Sequence, residues 1–153
     1  TLEEARALRA AKRRLMVGLE ELEEELKWRG RIGMPIRTWG GRVYYCEEPR
    51  YSAEHKRIMT FEYKLMNYLI QGSAADCTKE AILRYKRVQE EGMFLSQVHD
   101  EINISVPKKA LAREIKLLRE AMESVEFDVP MLAEVEIGPN WHDLKPYNER
   151  KAA

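Results

Sequence analysis

The chain has 153 residues with 26 basic and 26 acidic side chains, and 44% of its residues are hydrophobic. This composition is too apolar for a disordered chain and too rich in charge for a membrane protein, so it predicts one compact unit over residues 1–153. The balanced charge gives no general signal for nucleic-acid binding. No apolar stretch approaches a bilayer span, and the two cysteines lie in unlike contexts, which favours a reducing, cytoplasmic setting with no membrane partner.

A long first helix is predicted from Leu2 to about Trp28, because leucines recur there at helical spacings. The leucines of this stripe, which we expect to be buried, are Leu8, Leu15, Leu19, Leu22 and Leu26. The other faces of the helix carry a basic first half and an acidic second half, the reverse of what the helix dipole favours. Solvated charge on a helix surface is the simpler interpretation of these runs.

The middle of the chain predicts a hairpin followed by two helices. Residues 34–46 have β-branched and aromatic residues on both sides of a double glycine, as in a β-hairpin. Helical spacing then predicts a second helix over Ser52–Asn67. Gly72 is expected to interrupt the pattern, and Ser73 has the form of an N-cap that opens a further helix to about Glu91.

The last third of the chain predicts another hairpin, a helix and a strand. Two apolar runs, 93–98 and 102–106, predict paired strands. A helix is expected from Pro107, and a last strand over 131–137. The order of elements predicts an α+β fold with a small antiparallel sheet covered on one side by helices.

The most informative segment is Gln97–Glu101, which joins the two apolar strands with the sequence QVHDE. A tight turn normally uses Asn-Gly or Asp-Gly, because its central residues need unusual backbone angles, so His99 and Asp100 are a poor structural choice. Such a break in a local rule marks a candidate functional site. Adjacent carboxylates on a rigid turn suit Mg²⁺ and metal-assisted phosphoryl transfer, while a solvated polar turn remains the alternative.

A second polar pair, Asn67 and Gln71, lies four residues apart. Two side-chain amides on one helix face can donate to the N3 of purines and the O2 of pyrimidines in the minor groove of DNA. Such contacts test the shape of a base pair without reading its sequence. Exposed amides that only face solvent are the alternative interpretation.

Together these segments resemble the C-terminal palm of family A DNA polymerases, the group of bacterial DNA polymerase I and phage replicative enzymes. QVHDE resembles motif C of that family, and residues 67–76 resemble its Asn-x-x-x-Gln-Gly-Thr-Ala-Ala-Asp segment, with Ser73 in place of Thr. Residues 38–42 resemble the hairpin before that segment, in a form closer to phage members. Residues 134–141 resemble the terminal strand and its Gly-x-x-Trp ending, so nearly the whole chain is covered in order.

The resemblance implies a role for each matching residue. Asp100 would be a catalytic metal-binding aspartate, with Glu101 as an accessory carboxylate near the primer terminus. His99 would hydrogen-bond the primer-terminal backbone, and the minor-groove contacts would come from Asn67, Gln71 and Gln97. Arg42 would lie near DNA phosphates. The family commonly has Arg four residues before the Asn, where this chain has Tyr63, so Lys64 is a candidate for the replaced phosphate contact.

The resemblance also implies partners that the sequence itself does not contain. Two-metal transfer needs a second carboxylate, which the family places in an upstream Asp-Tyr-Ser strand, followed by a fingers helix that binds the incoming dNTP. Neither motif occurs here, and the first helix, 1–29, resembles the segment that leads from the fingers. We expect a DNA polymerase that is incomplete without a second chain or part carrying those motifs and the thumb, acting on a DNA primer-template in a bacterial or phage-infected cell. Three interpretations of the chain remain open: a natural subunit of a split polymerase, a fragment of a longer polymerase, or a non-catalytic, palm-like DNA-binding or interaction module.

Overall fold

The computed structural model describes residues 1–127 and 129–147. Its α-helices are α1 (Leu2–Leu15), α2 (Leu19–Arg31), α3 (Leu65–Val88) and α4 (Leu111–Glu123). Its strands are β1 (Ile36–Arg37), β2 (Val43–Tyr44), β3 (Arg50–Ser52), β4 (Arg57–Met59), β5 (Met93–Val98), β6 (Glu101–Ser105), β7 (Glu136–Ile137) and β8 (Lys145–Pro146). Each strand pairs antiparallel with its sequence neighbour, in four two-stranded sheets. Helices combined with small antiparallel sheets confirm the α+β class.

The chain divides into two compact units, Thr1–Ser73 and Ala74–Ala153, with the boundary inside α3. We call them the first and the second unit. None of the helices in the described part of the chain is both long and apolar enough to cross a bilayer.

The prediction of one unbroken helix from Leu2 to Trp28 is wrong, because the helix stops at Leu15 and α2 begins at Leu19. Gly18 adopts a left-handed conformation with φ of 82° at the start of α2. The break resolves the unfavourable charge order, since it puts basic residues in the last turn of α1 and acidic residues in the first turn of α2. Arg13 then bonds Glu23 across the break at 3.2 Å.

The predicted leucine stripe is buried only at its C-terminal end. Leu26 is buried, whereas Leu8 and Leu15 are 74% and 84% exposed, and α1 contains no buried residue. The core of the first unit lies instead between α2, the β1–β2 hairpin and the first turns of α3. Its buried members are Leu26, Ile36 and Leu65.

The β1–β2 pairing confirms the hairpin predicted over residues 34–46. The helix predicted from Ser52 is wrong, because β3 and β4 form a second hairpin there. The Ser52 hydroxyl accepts a hydrogen bond from the His55 backbone N–H at 3.2 Å, within the turn that joins the two strands. Phe61 and Leu65 are buried as expected, but Ile58 is an exposed strand residue.

The predicted interruption at Gly72 is also wrong, since α3 runs through it without a break. Gly72 is buried against the β1–β2 hairpin, and a β-carbon there would lie 2.6 Å from Thr38 Cγ2. Ser73 does not cap a helix, because its hydroxyl accepts a hydrogen bond from the Trp39 backbone at 3.0 Å. The glycine therefore permits close packing instead of ending the helix.

The second unit confirms the predicted β5–β6 hairpin and the helix that follows Pro107. Its core contains Cys77 and Ala81 from α3 together with Val125 after α4. The last predicted strand, 131–137, is shorter than expected, because only Glu136 and Ile137 pair, with β8.

Candidate functional site

The tip of the β5–β6 hairpin presents two adjacent carboxylates to solvent. Val98 pairs with Glu101, so His99 and Asp100 form a two-residue loop. His99 has φ of 54°, in the left-handed region where glycine is favoured. This strained backbone confirms the unusual turn that the sequence predicted, and Asp100 and Glu101 are both exposed beside it.

Gln97 stabilises this turn from within the hairpin. Its Nε2 atom donates a hydrogen bond to the His99 carbonyl oxygen at 2.9 Å. The bond fixes the side-chain amide against the turn's backbone. The structure thus brings four candidate residues together on one turn: Gln97, His99, Asp100 and Glu101.

The donor set at the turn fits a magnesium ion in part. Magnesium prefers oxygen ligands and is commonly held by one or two carboxylates, with water and substrate phosphates completing the shell. Asp100 and Glu101 supply two such carboxylates. Within residues 1–127 and 129–147, no group of three His, Cys, Asp or Glu side chains is placed to hold a metal, so the described residues add no third protein ligand to this pair.

Asn67 and Gln71 are both exposed on α3, within the first unit. Because α3 is continuous through both positions, their spacing of four places them on the same face of one helix. Their amides can therefore approach a common ligand from that face.

Arg42 closes the β1–β2 turn. Its backbone N–H donates to the Thr38 hydroxyl at 3.0 Å, and its guanidinium donates to the Tyr44 hydroxyl at 3.3 Å. Gly41 reaches the left-handed φ of 84° that this turn needs. Arg42 is half-buried at the end of this hairpin.

The Lys64 side chain is paired with a carboxylate and an aromatic ring of the first unit. Its ammonium group lies 2.5 Å from the Glu47 carboxylate and 4.5 Å from the centre of the Phe61 ring. The hydrogen bond with Glu47 raises the pKa of Lys64 and lowers the pKa of Glu47. The Tyr68 hydroxyl donates to the same Glu47 oxygen at 2.8 Å, so a phosphate contact by Lys64 has to compete with this cluster.

A buried carboxylate in the second unit was not predicted from the sequence. Glu114 is fully buried and accepts a hydrogen bond from the Tyr85 hydroxyl at 2.6 Å. Its position was a usable signal, because Glu114 lies three residues after Leu111 and four before Leu118, on the apolar face of α4. A charge on the buried face of a helix calls for partners.

Comparison with known proteins adds independent information. The sequence profile of DNA polymerase family A matches residues 4–143. DNA polymerase I of Chloroflexus aurantiacus is 36% identical over 117 residues, covering 72% of this chain and 12% of that protein. DNA polymerase I of Bacillus caldotenax is 34% identical over 133 residues, covering 83% of this chain and 14% of that protein. The thermostable DNA polymerase I of Thermus thermophilus is 40% identical over 114 residues, covering 72% of this chain and 14% of that protein. The chain therefore spans only about an eighth of the length of these relatives.

The fold is similar to that of a solved polymerase domain. The POL domain of Pol1 from M. smegmatis, in complex with DNA primer-template and dNTP, matches with a TM-score of 0.68 and 27% identity. The match covers 86% of this chain and 24% of that structure. The profile match, the identities and the fold agree, and the chain belongs to DNA polymerase family A.

Proposed function

We propose that this chain is the C-terminal palm part of a DNA-directed DNA polymerase and supplies one catalytic carboxylate for nucleotidyl transfer in DNA replication. The observation that carries the proposal is the two-residue loop of the β5–β6 hairpin. His99 adopts a glycine-like backbone there, and Asp100 and Glu101 stand exposed beside it. A turn with only a structural role would relieve this conformation with glycine or asparagine.

Each residue of the turn has a separate role in this proposal. Asp100 would hold Mg²⁺, which when bound supplies Lewis-acid activation of the primer 3′-hydroxyl and stabilises charge on the transferred phosphate. Glu101 would be an accessory carboxylate near the primer terminus. His99 would hydrogen-bond the primer-terminal backbone, and the bond from Gln97 to the His99 carbonyl would hold the turn in place.

Besides Asp100 and the accessory Glu101, we propose a second catalytic aspartate that this sequence does not supply. Two-metal transfer uses at least two protein carboxylates, and the upstream Asp-Tyr-Ser motif of the family does not occur in the 153 residues. We propose that the missing carboxylate, the fingers and the thumb are supplied by another chain or by another part of a longer polypeptide. We call the combination of this chain with those parts the assembled polymerase.

The amides of Asn67 and Gln71 would contact the minor groove of the primer-template. Their exposure and shared helix face support this role, since both can donate to acceptors that every base pair presents. Arg42 would lie near DNA phosphates, and Gln97 would add a minor-groove contact. Lys64 would replace the phosphate contact of the family's arginine only by giving up its bond with Glu47.

The partners proposed for the assembled polymerase are a DNA primer-template and a dNTP. The similar Pol1 domain of M. smegmatis is in complex with both, which supports this assignment. We place the activity in the cytoplasm of a bacterial or phage-infected cell, where a replicative DNA polymerase would meet these substrates.

Primer extension tests the proposal directly. The 153-residue chain alone should incorporate no nucleotide, and adding a chain that carries the Asp-Tyr-Ser motif and the fingers should restore template-directed synthesis. Synthesis by the isolated chain would contradict the need for a second carboxylate. Binding of primer-template without synthesis in any combination would favour a non-catalytic DNA-binding module.

The minor-groove contacts have a separate test in the assembled polymerase. Asn67→Ala and Gln71→Ala should weaken extension and reduce discrimination against mismatched primer ends, with little effect on folding. Ile70→Ala is a matched control, since Ile70 is exposed on the same helix and carries no amide. Equal extension of matched and mismatched ends by the parent and both amide variants would make Asn67 and Gln71 surface residues only.

A further inference from the structure

The buried carboxylate of Glu114 holds the chain segment that leads into the candidate site. Within the described part of the chain, Glu114 is the only charged side chain that is fully buried. One of its oxygens accepts the Tyr85 hydroxyl at 2.6 Å. The other accepts the backbone N–H groups of Glu90 at 2.9 Å and Glu91 at 2.7 Å. A carboxylate is stable in such a place only with several donors around it, so these bonds have to persist while the second unit is folded.

Gly92 shows how closely the backbone passes this carboxylate. A β-carbon at Gly92 would lie 1.9 Å from the Tyr85 hydroxyl and 2.6 Å from a Glu114 oxygen. No side chain fits between the backbone and these two groups. We call the arrangement of Tyr85, Glu114 and the backbone of residues 90–92 the carboxylate clamp.

Ion pairs from the same region reinforce the clamp. Lys109 contacts the Glu91 carboxylate at 2.8 Å, and Arg113 contacts the Glu90 carboxylate. Both pairs are largely exposed and therefore weak on their own. They hold the same two residues whose backbone Glu114 binds, so side chains and backbone of the segment are tied to one side of the second unit.

The clamp lies at the base of the hairpin whose tip is the candidate site. Met93, the first residue of β5, follows Gly92 directly and pairs with Ser105, near the end of β6. The base of β5 has little packing of its own, because Met93 and Leu95 are 59% and 56% exposed and the pairing is irregular between Phe94 and Ser96. The direction of the hairpin therefore depends on the bonds just before β5 and on Ile102 of β6, which packs against the core of the second unit.

We propose that Glu114 is a positioning residue for Asp100, acting through the backbone of residues 90–92 and the β5–β6 hairpin. This inference rests on the proposed function of the Asp100 turn. Tyr85 and Gly92 contribute to the same clamp. The Tyr85 hydroxyl donates a hydrogen bond to Glu114, and Gly92 leaves room for both side chains because it has no β-carbon.

Two substitutions at Glu114 separate positioning from general stability. Glu114→Leu keeps similar volume but removes every acceptor. Glu114→Gln keeps an oxygen for the two backbone N–H groups, and its amide can donate to the Tyr85 oxygen. Arg84→Leu is a matched control, because it also replaces a charged side chain by leucine within the second unit, and the bonds that it removes, to Glu80 and Ser124, lie outside the clamp.

Amide hydrogen exchange of the whole 153-residue chain gives the first readout. Glu114→Leu should speed exchange in β5 and β6 by at least about tenfold relative to the rest of the second unit, and Glu114→Gln should stay near the parent. Arg84→Leu should leave exchange in β5 and β6 near the parent, because its lost bonds join α3 to Ser124. A uniform rise in exchange over the second unit in Glu114→Leu would overturn the positioning role.

The assembled polymerase gives the second readout. Glu114→Leu should raise the Mg²⁺ concentration needed for half-maximal single-turnover incorporation by about tenfold or more, with primer-template affinity nearly unchanged, whereas Arg84→Leu should leave the Mg²⁺ dependence as in the parent. A parental Mg²⁺ dependence in Glu114→Leu would leave the clamp a stabilising feature only and overturn the proposal. If the parent itself makes no DNA, the proposed function fails, and the exchange pattern alone then decides whether Glu114 orders the hairpin.

Discussion

Thr38 occupies the space that a side chain on Gly72 would need. The Thr38 methyl carbon would lie 2.6 Å from a β-carbon built on Gly72, well inside normal contact distance. Thr38 is itself buried, and its hydroxyl accepts a hydrogen bond from the Arg42 backbone at 3.0 Å. The methyl group therefore cannot turn away without breaking the turn that carries Arg42.

Gly72→Ala should destabilise the chain despite alanine's better helix propensity. Alanine gains about 1 kcal/mol over glycine within a helix, but overpacking costs about 1–3 kcal/mol, so we expect a net loss of up to about 2 kcal/mol. Urea unfolding followed by circular dichroism measures it. Thr38→Ser removes the clashing methyl and keeps the hydroxyl, so adding it should recover much of the loss. A more stable Gly72→Ala variant would contradict the close packing.

The elements of the fold that depend on local sequence patterns are predictable from the sequence. The alternation of 102–106 and the helical spacing after Pro107 predict β6 and α4 because both are patterns among neighbouring residues. The continuity of α3 depends on what packs beside Gly72, and the break before α2 depends on the left-handed backbone of Gly18, and periodicity contains neither. The same holds for the candidate site: the strained turn at His99 was readable from its residue types, whereas the donors around Glu114 come from residues 23 to 29 positions away.

The Tyr85–Glu114 pair predicts a pH dependence of stability at both extremes. Burial raises the pKa of Glu114, but the hydrogen bonds from Tyr85 and the backbone outweigh it and lower the pKa below 4.5. Its contribution to the free energy of unfolding is then complete above pH 4.5 and lost as the pH falls further. Burial, followed by the bond with Glu114, raises the pKa of Tyr85 above 10.0, so its contribution is complete below pH 10.0 and lost as the pH rises.

The free energy of unfolding, measured between pH 3 and 11, checks the expected losses of stability in acid and in alkali. Glu114→Gln should be less sensitive to acid than the parent, and Tyr85→Phe should be less sensitive to alkali. Because each group contributes to the pKa shift of the other, each variant should also lose part of the parent's pH dependence at the opposite extreme. Two curves parallel to the parent throughout would show that neither group changes its pKa on folding.

His99→Gly should separate the strain of the turn from its function. Glycine relieves the left-handed backbone at φ 54° by about 1–2 kcal/mol, while its greater freedom in the unfolded chain costs about 0.4–1 kcal/mol. The variant should therefore unfold at the same or a higher urea concentration, yet extend primers more slowly in the assembled polymerase. The Gln97 bond to the backbone carbonyl is kept in this variant, so the loss would report the imidazole alone. Full activity in His99→Gly would remove the imidazole from the proposed site.

Asp100 and Glu101 should differ sharply in their effect on the chemical step. Asn at position 100 keeps the size of the side chain but removes the charge that binds the metal, so Asp100→Asn should slow single-turnover incorporation by several orders of magnitude. Glu101→Gln should cost much less, because water can replace part of an accessory ligand in a magnesium shell. Both residues are exposed at the hairpin tip, so neither change should disturb folding, and primer-template affinity should persist because it depends mainly on phosphate contacts elsewhere. The measurement is incorporation by the assembled polymerase at saturating Mg²⁺. A near-parental rate in Asp100→Asn with a large loss in Glu101→Gln would move the metal ligand to Glu101, and parental rates in both would make the turn structural.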